Sequence, residues 1–447
     1  MDFVPLTPAE REVMLARSGV KSVDELFADI PPQARLDRPL DLPPAMSEAE
    51  LIAHMRTLAA RNADLDRYVC FLGGGAYDHL IPSVVRHILG RSEFYTAYTP
   101  YQAEVSQGVL QTIFEYQTLV CQLTGLDVAN ASMYDGASAA AEAALMATAH
   151  TGRRRVVVSA AVHPEYRQVM ATYLANQDVA LDTVPWRMGV THLDALQQAV
   201  DDRTAAVVMQ NPNFFGAIEE MDAAAAIAHR HGALLVAVVD PISLGILAPP
   251  GEYGADIAVG EGQALGNAIS FGGPYLGFFA ARRELIRRMP GRIVGISRDV
   301  EGRRGFVLTL QTREQHIRRE RATSNICTNQ ALNALAATVY LAMLGRQGIR
   351  RVGELCVQKS HYAFERLTKV PGIRPAWDAP FFKEFVVEMD GAVPEVLTRL
   401  WQEYGIIGGL PLGRFYDNLD RAVLWCVTEA RTRDEIDRLV AALHQLG

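Results

Sequence analysis

Residues 255–279 read ADIAVGEGQALGNAISFGGPYLGFF, and they follow an apolar run, ALLVAVVDP, whose acid is Asp240. The 255–279 stretch begins with a short apolar segment and reaches a glycine turn at Gly272 and Gly273. Short apolar runs bounded by turn residues are typical of buried strands. Side chains just past such strands lie at the sheet edge where ligands bind, so Asp240 is a candidate site residue.

This layout resembles that of pyridoxal-phosphate (PLP) enzymes with the aminotransferase-like fold, fold type I. In those enzymes the acid keeps the pyridine nitrogen protonated, and a lysine further along the chain binds the cofactor covalently. The present chain has four lysines, which are Lys21, Lys359, Lys369 and Lys383. None of them lies between Asp240 and Gly277. The sequence therefore predicts the fold without its covalent anchor, and leaves open whether Asp240 still binds PLP weakly.

The composition indicates a globular protein of more than one domain. The chain has 447 residues, 49% of them hydrophobic and 21% charged, which suits two or three domains with a large core. A net charge of −8 argues against nucleic acid or an anionic membrane as the main partner. Five scattered cysteines, no secretory leader and no apolar run near the ~20 residues of a membrane span predict a cytoplasmic protein.

Residues 1–65 predict an arm rather than a domain. Thr7 and Glu10 flank a proline in the pattern of a capped helix start, and that helix is expected to end near Arg17. Proline pairs then favour extended chain, and helical spacing returns at residues 47–61. Such a segment buries too little apolar surface by itself, so we expect it to wrap a partner subunit.

Residues 66–344 predict a large α/β domain. From residue 155 on, strands and helices alternate, which predicts a parallel or mixed sheet covered on both faces. Residues 345–447 predict a smaller C-terminal α+β domain with a closing helix. The polar residues expected at the carboxyl ends of the strands are His163, Asn211, Asn213 and Asp240, with Gln263 in the loop after the next strand.

The segment EFYTAYTPYQAEVSQG, residues 93–108, concentrates tyrosines and polar side chains in a proline-bent turn. Such groups need either water or a ligand, so the segment is a polar loop at a subunit contact or the wall of a site. We favour the wall of a substrate site or channel. Its candidate residues are Tyr95, Tyr98, Glu104 and Gln107.

A second polar loop, Thr323, Ser324 and Asn325, follows the basic run REQHIRRERA. Its hydroxyls and backbone N–H groups suit an anion. By contrast, Asp135 precedes a helix that is predicted to open at Gly136, and its charge would repel a phosphate at that helix terminus.

The chain resembles the P-protein family of the glycine cleavage system, and within it the alpha subunit, subunit 1. The resemblance runs from about Pro5 to the C-terminal helix and rests on whole strings of sequence. The strings are YTAYTPYQAEVSQG, HPEYRQV, VVDPISLGIL, SFGGPYLGF, RERATSNICTNQALNALAATVYLAMLG and WCVTEARTRDEID. The resemblance places Gln263 where the family's beta subunit carries its PLP-binding lysine. It places His163 where a ring stacks on PLP and Asp240 where an acid meets the pyridine nitrogen, both as vestiges.

The resemblance also implies a reaction and its partners. In that family glycine loses CO2 on PLP, and the aminomethyl group passes to the lipoyl disulfide of the H-protein. PLP would be bound covalently by the beta subunit, in a probable alpha2beta2 heterotetramer. Thr323, Ser324 and Asn325 would then reach across the interface to the phosphate of the partner's PLP. No metal is implied.

Two other functions stay open at this point. A degenerate transferase-fold protein could act as a regulatory or scaffold subunit, although the polar aromatic groups of residues 93–108 argue against a pure scaffold. A self-sufficient PLP enzyme is nearly excluded by the missing lysine. Glycine cleavage on mixing with the beta chain separates the first alternative from the decarboxylase subunit.

Overall fold

The computed structural model describes residues 6–36 and 38–446, which separate into two units, Met1–Ala63 and Asp64–Gly447. The α-helices, in chain order, are α1 (Pro8–Arg17), α2 (Glu48–Ala59), α3 (Ser83–Leu89), α4 (Ser92–Tyr95), α5 (Gln107–Thr124), α6 (Gly136–Thr151), α7 (Pro164–Leu174), α8 (Leu193–Ala199), α9 (Met221–Arg230), α10 (Gln315–Arg318), α11 (Ala331–Leu367), α12 (Val393–Tyr404) and α13 (Arg433–Leu446). The β-strands are β1 (Val69–Cys70), β2 (Val128–Ala129), β3 (Arg155–Ser159), β4 (Ala180–Val184), β5 (Trp186–Arg187), β6 (Val190–Thr191), β7 (Thr204–Asn211), β8 (Leu234–Val239), β9 (Ile257–Glu261), β10 (Gly277–Ala281), β11 (Ile293–Arg298), β12 (Arg304–Thr309), β13 (Ile373–Pro375), β14 (Glu384–Met389), β15 (Ile406–Ile407), β16 (Leu410–Pro411) and β17 (Ala422–Cys426). Within the described residues, none of these helices combines the length and the apolar character that crossing a membrane requires.

Two capped helices make up much of the first unit. At α1 the Thr7 hydroxyl accepts a hydrogen bond from the Glu10 N–H, and the Glu10 carboxylate accepts one from the Thr7 N–H. Ser47 and Glu50 form the same reciprocal pair at α2. No residue of α1 or α2 is buried, so local capping rather than a core supports them. Both helices expected in the 1–65 arm are therefore present.

Seven strands form the central sheet of the second unit, in the order β2-β10-β9-β8-β7-β3-β4. The five strands from β9 to β4 are parallel, and β10 is antiparallel to both of its neighbours. Along β7, Val207 and Met209 pack into a core with α5, α9 and α11, whereas Ala206 and Val208 pack into a second core with α6 and α7. The sheet is thus covered on both faces, as the sequence predicted.

A smaller antiparallel sheet, ordered β13-β14-β17-β16, packs with α12, α13 and the last part of α11. Helix α11 is interrupted at Gly345, where φ is 58° and ψ is −172°. The interruption lies beside the boundary that the sequence predicted between the large and the small domain. Because both sheets belong to one unit, that domain boundary stays a prediction.

The loop after β7 holds the start of β14 close to the central sheet. The Phe382 N–H donates to the Gly216 carbonyl oxygen at 3.2 Å, and Gly216 has a φ of +83°. A Cβ at Gly216 would overlap the backbone of Glu384, so only glycine permits this approach. Lys383 and Glu384 are thereby placed near the carboxyl ends of the central strands.

Candidate functional site

An ion pair lies where the sequence predicted an acid for the pyridine nitrogen of PLP. Asp240 directly follows β8, and its Oδ2 lies 2.6 Å from the Nζ of Lys383, which directly precedes β14. The Lys383 side chain is only 1% exposed. A Lys383 charge buried this deeply needs a counter-ion, and the Asp240 carboxylate supplies it. Asp240 is therefore paired with a cation of its own chain.

The ammonium group of Lys383 is fully engaged inside the protein. It donates to His79 Nε2 at 3.0 Å, and it lies 3.4 Å from the centroid of the Tyr77 ring. Burial is the largest influence and works to lower the pKa of Lys383, but several nearby groups, led by the Asp240 carboxylate, together outweigh it, and the pKa lies above its ordinary value. The amine is therefore protonated at neutral pH, and a protonated amine cannot attack an aldehyde.

Lys383 also fixes the tautomer of His79. Because His79 Nε2 accepts from Lys383, Nδ1 carries the ring proton and donates to Glu429 Oε2 at 2.6 Å. Burial and the Lys383 charge lower the pKa of His79, so the ring is neutral. Burial opposes ionisation of Glu429, but hydrogen bonds from His79 and the Leu80 N–H outweigh it and lower the pKa of Glu429 to about 2.

The same corner of the molecule brings together potential metal ligands. His79, Cys356 and Glu429 place their ligand atoms within 4.8 Å of one another. The Lys383 ammonium already uses His79 Nε2, and burial raises the pKa of the Cys356 thiol above its ordinary value. An adjacent positive charge and a protonated thiol do not suit a cation.

Gln263, which the sequence predicted at the position of the family's PLP-binding lysine, is 1% exposed, and backbone groups pair with its amide. Its Oε1 accepts from the Tyr77 N–H at 2.9 Å. Its Nε2 donates to the carbonyl oxygens of Tyr77 at 3.1 Å and Asn267 at 2.7 Å. The side chain therefore ties the 77 region to the loop after β9, and it offers no nucleophile.

A carboxylate of the chain itself lies at the N-terminus of α6. Glu261 Oε2 accepts from the Gly136 N–H at 3.0 Å, and its Oε1 accepts from the N–H groups of Gln263 and Leu276. Burial raises the pKa of Glu261 to about 7. Asp135 caps the same helix by accepting from Ser138 N–H at 2.7 Å. The N-terminus of α6, the end of a helix that can bind an anion, thus already contacts two acidic side chains of the same chain, Glu261 and Asp135.

His163 lies under the glycine turn that follows β1. Its ring stacks on Tyr166 with centroids 4.9 Å apart, and its Nε2 donates to the Gly74 carbonyl oxygen at 2.8 Å. The Glu165 N–H donates to its Nδ1 at 3.1 Å, which is consistent with a proton on Nε2. A Cβ at Gly75 would lie 3.2 Å from His163 Nε2, so the turn lies directly against the ring.

The residues around Asp240 leave very little space. The remaining cavity has a volume of about 30 Å³, and it is bounded by His163, Asp240, Glu261 and Lys383 among others. A volume of this size holds a water molecule, because a water needs at least ~10–15 Å³. A pyridine ring with its phosphate does not fit. The vestigial positions predicted from the sequence are thus close together, but they are closed by protein groups.

The structure separates the four predicted wall residues of the 93–108 segment. Tyr95 and Tyr98 line a cavity of about 210 Å³ and remain exposed. Gln107 instead clamps β12, since its Nε2 donates to the Phe306 carbonyl oxygen and its Oε1 accepts from the Phe306 N–H, both at 2.8 Å. Glu104 is exposed and does not line that cavity. Of the four predicted wall residues, Tyr95 and Tyr98 line this cavity, and their role as a wall stays a prediction.

Thr323, Ser324 and Asn325 line a different cavity, of about 470 Å³. Ser324 Oγ accepts from the Ile326 N–H at 3.0 Å. Within the described parts of the chain, the Thr323 hydroxyl makes no hydrogen bond to protein. Glu142 lines the same cavity, and burial raises its pKa to about 7 although a hydrogen bond from Ser324 works in the opposite direction. The Thr323 hydroxyl is thus available to a ligand in this cavity, and the Glu142 carboxyl group lines the same cavity.

Comparison with known proteins identifies the family of this chain. The family model described as glycine cleavage system P-protein matches residues 1–443. The chain belongs to this family. The probable glycine dehydrogenase (decarboxylating) subunit 1 of Carboxydothermus hydrogenoformans is 58% identical over 443 residues, 99% of each chain. The protein of the same name from Moorella thermoacetica is 57% identical over 443 residues, again 99% of each.

Solved structures confirm the predicted PLP-transferase fold. A crystal structure of glycine decarboxylase (P-protein) in inhibitor-bound form matches with a TM-score of 0.91 and 47% identity, over 100% of both chains. Sphingosine-1-phosphate lyase of Burkholderia pseudomallei matches with a TM-score of 0.66 and 15% identity, over 93% and 94%. A C-DES mutant with glycine covalently linked to PLP has a TM-score of 0.63 and 15% identity, over 86% and 98%. In the C-DES mutant, a protein of this fold carries PLP.

Sequence reasoning missed three ionisable residues of this P-protein chain, which are the buried Lys383 and Glu384 and the partly buried Glu261. All three are charges next to apolar strand residues, as in FFKEFVVEM and ADIAVGEG. That context is a usable signal, since a charge within a buried strand requires a partner. The sequence does not say which partner, because Lys383 and Asp240 lie on different sheets.

Removing the Lys383 charge leaves Asp240 buried without its cation. We expect Lys383→Met to lower the free energy of unfolding by about 3–5 kcal/mol, the usual effect of breaking a buried pair from one side. Urea denaturation followed by circular dichroism measures this loss. Lys369→Met is the matched control, because Lys369 is exposed and pairs with Glu365 at the surface, and we expect it to change stability by less than about 0.5 kcal/mol.

A double variant separates the pair from simple loss of packing. Asp240→Asn combined with Lys383→Met removes both charges and retains an oxygen for the Ile242 N–H, which now donates to Asp240 Oδ1. We expect it to recover at least half of the lost stability. If Lys383→Met and the double variant lose the same free energy of unfolding, the unpaired Asp240 charge is not the main cause of the loss.

A second prediction concerns pH. Glu384 Oε1 accepts from the Gly74 N–H at 2.6 Å and Oε2 from the Tyr77 hydroxyl at 2.8 Å, while burial raises the pKa of Glu384 to about 7. The folded protein thus holds the Glu384 proton more tightly than the unfolded chain does. Its contribution to stability is present below the ordinary pKa of 4.5 and is lost as pH rises through about 7.

Glu384→Gln stays neutral at every pH. We therefore expect wild type to lose on the order of 1–3 kcal/mol relative to this variant between pH 4.5 and 7.5, in urea denaturation series. Glu388→Gln, on the same strand but paired with Arg374 near the surface, should track wild type. Parallel pH profiles for wild type and Glu384→Gln would contradict the assignment.

Proposed function

We propose that this chain is the glycine decarboxylase subunit that does not carry the cofactor, and that it works with a partner chain that binds PLP. The observation that carries the proposal is the closed site at Asp240. Lys383 neutralises the acid, Gln263 replaces the nucleophile, and Glu261 supplies an anion to the α6 terminus. A chain that fills each of these positions itself needs a cofactor-bearing partner for PLP chemistry.

When bound to the partner, PLP supplies the electron sink for loss of CO2 from glycine. The aminomethyl group then passes to the lipoyl disulfide of the H-protein, which is reduced. The residues of this chain bind, orient and exclude water at the boundary of that site. We assign Tyr95 and Tyr98 to a wall that faces the substrate or the lipoyl arm, since both hydroxyl-bearing rings are exposed beside a cavity.

The Thr323–Asn325 loop is the second contribution that we assign to this chain. The Thr323 hydroxyl has no hydrogen-bond partner in the described residues, and Asn325 is exposed. Both features leave these groups free to meet the phosphate of a neighbouring subunit's PLP. We propose that the assembly is a cytoplasmic alpha2beta2 heterotetramer, in which the 1–65 arm wraps the partner.

A regulatory or scaffold subunit is the alternative function. The same closed site at Asp240 supports this alternative, because a chain with that site would not catalyse the reaction by itself. Against it stand the exposed tyrosines of the 93–108 segment and the available Thr323 hydroxyl, because a scaffold does not require free polar groups beside cavities.

Reconstitution tests the proposal. The chain alone, treated with PLP and borohydride, should show no reduced adduct within residues 240–277 and no glycine cleavage. With the PLP-bearing partner and lipoylated H-protein, we expect glycine cleavage and an adduct on the partner alone. A stoichiometric adduct on a lysine of this chain, with decarboxylation in the absence of partner, would overturn the proposal. Assembly with a partner whose activity does not depend on this chain would favour the scaffold.

A separate experiment on the assembled complex tests whether the Thr323–Asn325 loop contributes to PLP binding. Thr323→Ala removes one charge-assisted hydrogen bond, so we expect PLP retention to weaken by about 1.5–3 kcal/mol without unfolding of the chain. Equilibrium dialysis of PLP from the complex gives the dissociation constant. Thr398→Ala, on the exposed side of α12, is the control and should leave that constant unchanged. A wild-type constant for Thr323→Ala would remove the loop from the cofactor site.

A further inference from the structure

Arg292 is a buried cation without an acid. It lies between Gly291 and β11, and it is 5% exposed. Over residues 6–36 and 38–446, the structure gives it no ion pair, although it gives a carboxylate partner to the similarly buried Arg431 at 2.5 Å. A buried guanidinium without a counter-ion is costly, so the absence of an acid calls for an explanation.

The polar contacts of Arg292 are incomplete. Its Nη2 donates to the Tyr101 hydroxyl at 3.1 Å, and its guanidinium carbon lies 5.6 Å from the centroid of the Tyr101 ring. Its Nε is buried and has no hydrogen-bond partner. A guanidinium presents five N–H donors in a fixed plane, so most of this plane is left for another acceptor.

The Arg292 side chain borders the cavity of about 210 Å³ that Tyr95 and Tyr98 also line. The other walls are mainly apolar and come from α4, α5 and the start of α11. They include Phe94, Val109, Ile113, Leu332 and Leu335. No carboxylate lines the cavity within the described residues. The cavity is therefore a mostly apolar space with one positive charge at its edge.

We propose that this cavity binds a carboxylate carried on a compact apolar body, with Arg292 as the carboxylate-binding residue. A planar carboxylate matches the guanidinium plane and neutralises its single charge. A phosphate dianion would bring a second negative charge that the single guanidinium does not neutralise.

Two sources of the carboxylate share this chemistry. One is a free monocarboxylate, and the other is an acidic side chain of a partner subunit that enters the cavity on assembly. The inference does not rest on the proposed decarboxylase function, because Arg292, Tyr101 and the cavity belong to this chain alone.

Isothermal titration of the isolated chain with benzoate tests the proposal. We expect saturable binding to wild type, at least about 10-fold weaker binding to Arg292→Gln, and intermediate binding to Arg292→Lys, which keeps the charge but loses the planar fork. Benzyl alcohol, a neutral ligand of similar shape, should also bind at least about 10-fold more weakly. Arg298→Gln, the same change at an exposed position of β11, should bind benzoate as wild type does.

Thermal unfolding of each variant establishes that it is folded, and Arg292→Lys provides a second variant if Arg292→Gln does not fold. Equal benzoate binding to wild type and a folded Arg292→Gln, or no saturable binding to wild type, would overturn the proposal. Repeating the titration with the PLP-bearing partner present identifies the source. Loss of benzoate binding on assembly assigns the carboxylate to the partner, and retained binding assigns it to a free ligand.

Discussion

The buried ion pair between Lys383 and Asp240 is the interaction on which the rest of this site depends. It joins the carboxyl end of β8 in the central sheet to the start of β14 in the small sheet. Because neither charge is well solvated, each requires the other, and the two sheets are held in one arrangement. The pair also orients His79 and, through it, Glu429, so a single contact organises four ionisable side chains.

Side chains of the protein itself fill the polar positions around Asp240. Removal of a buried ligand leaves donors and acceptors unpaired, and each unpaired group costs free energy. Here Lys383 satisfies the acid, Glu261 satisfies backbone N–H groups at the α6 terminus, and the Gln263 amide bridges backbone groups. These internal groups satisfy the polar positions while leaving a cavity of about 30 Å³.

This member of the P-protein family also carries polar side chains outside the group of residues that surrounds Asp240. Tyr95, Tyr98 and Thr323 belong to segments that are exposed or border cavities, and they carry polar groups that the described chain leaves free or solvent-facing. Our proposal assigns the contact with a partner's site to these segments.

The sequence by itself determined the alternating strands and helices, the capped helices of the 1–65 arm and the absence of a lysine between Asp240 and Gly277. These features are local, because hydrophobic period and helix capping are set within a few residues. Only the tertiary structure decided that Lys383 meets Asp240 and that, among the described residues, Arg292 meets no acid. Such pairings join residues distant in the chain, and their energy depends on burial and distance, which no local pattern encodes.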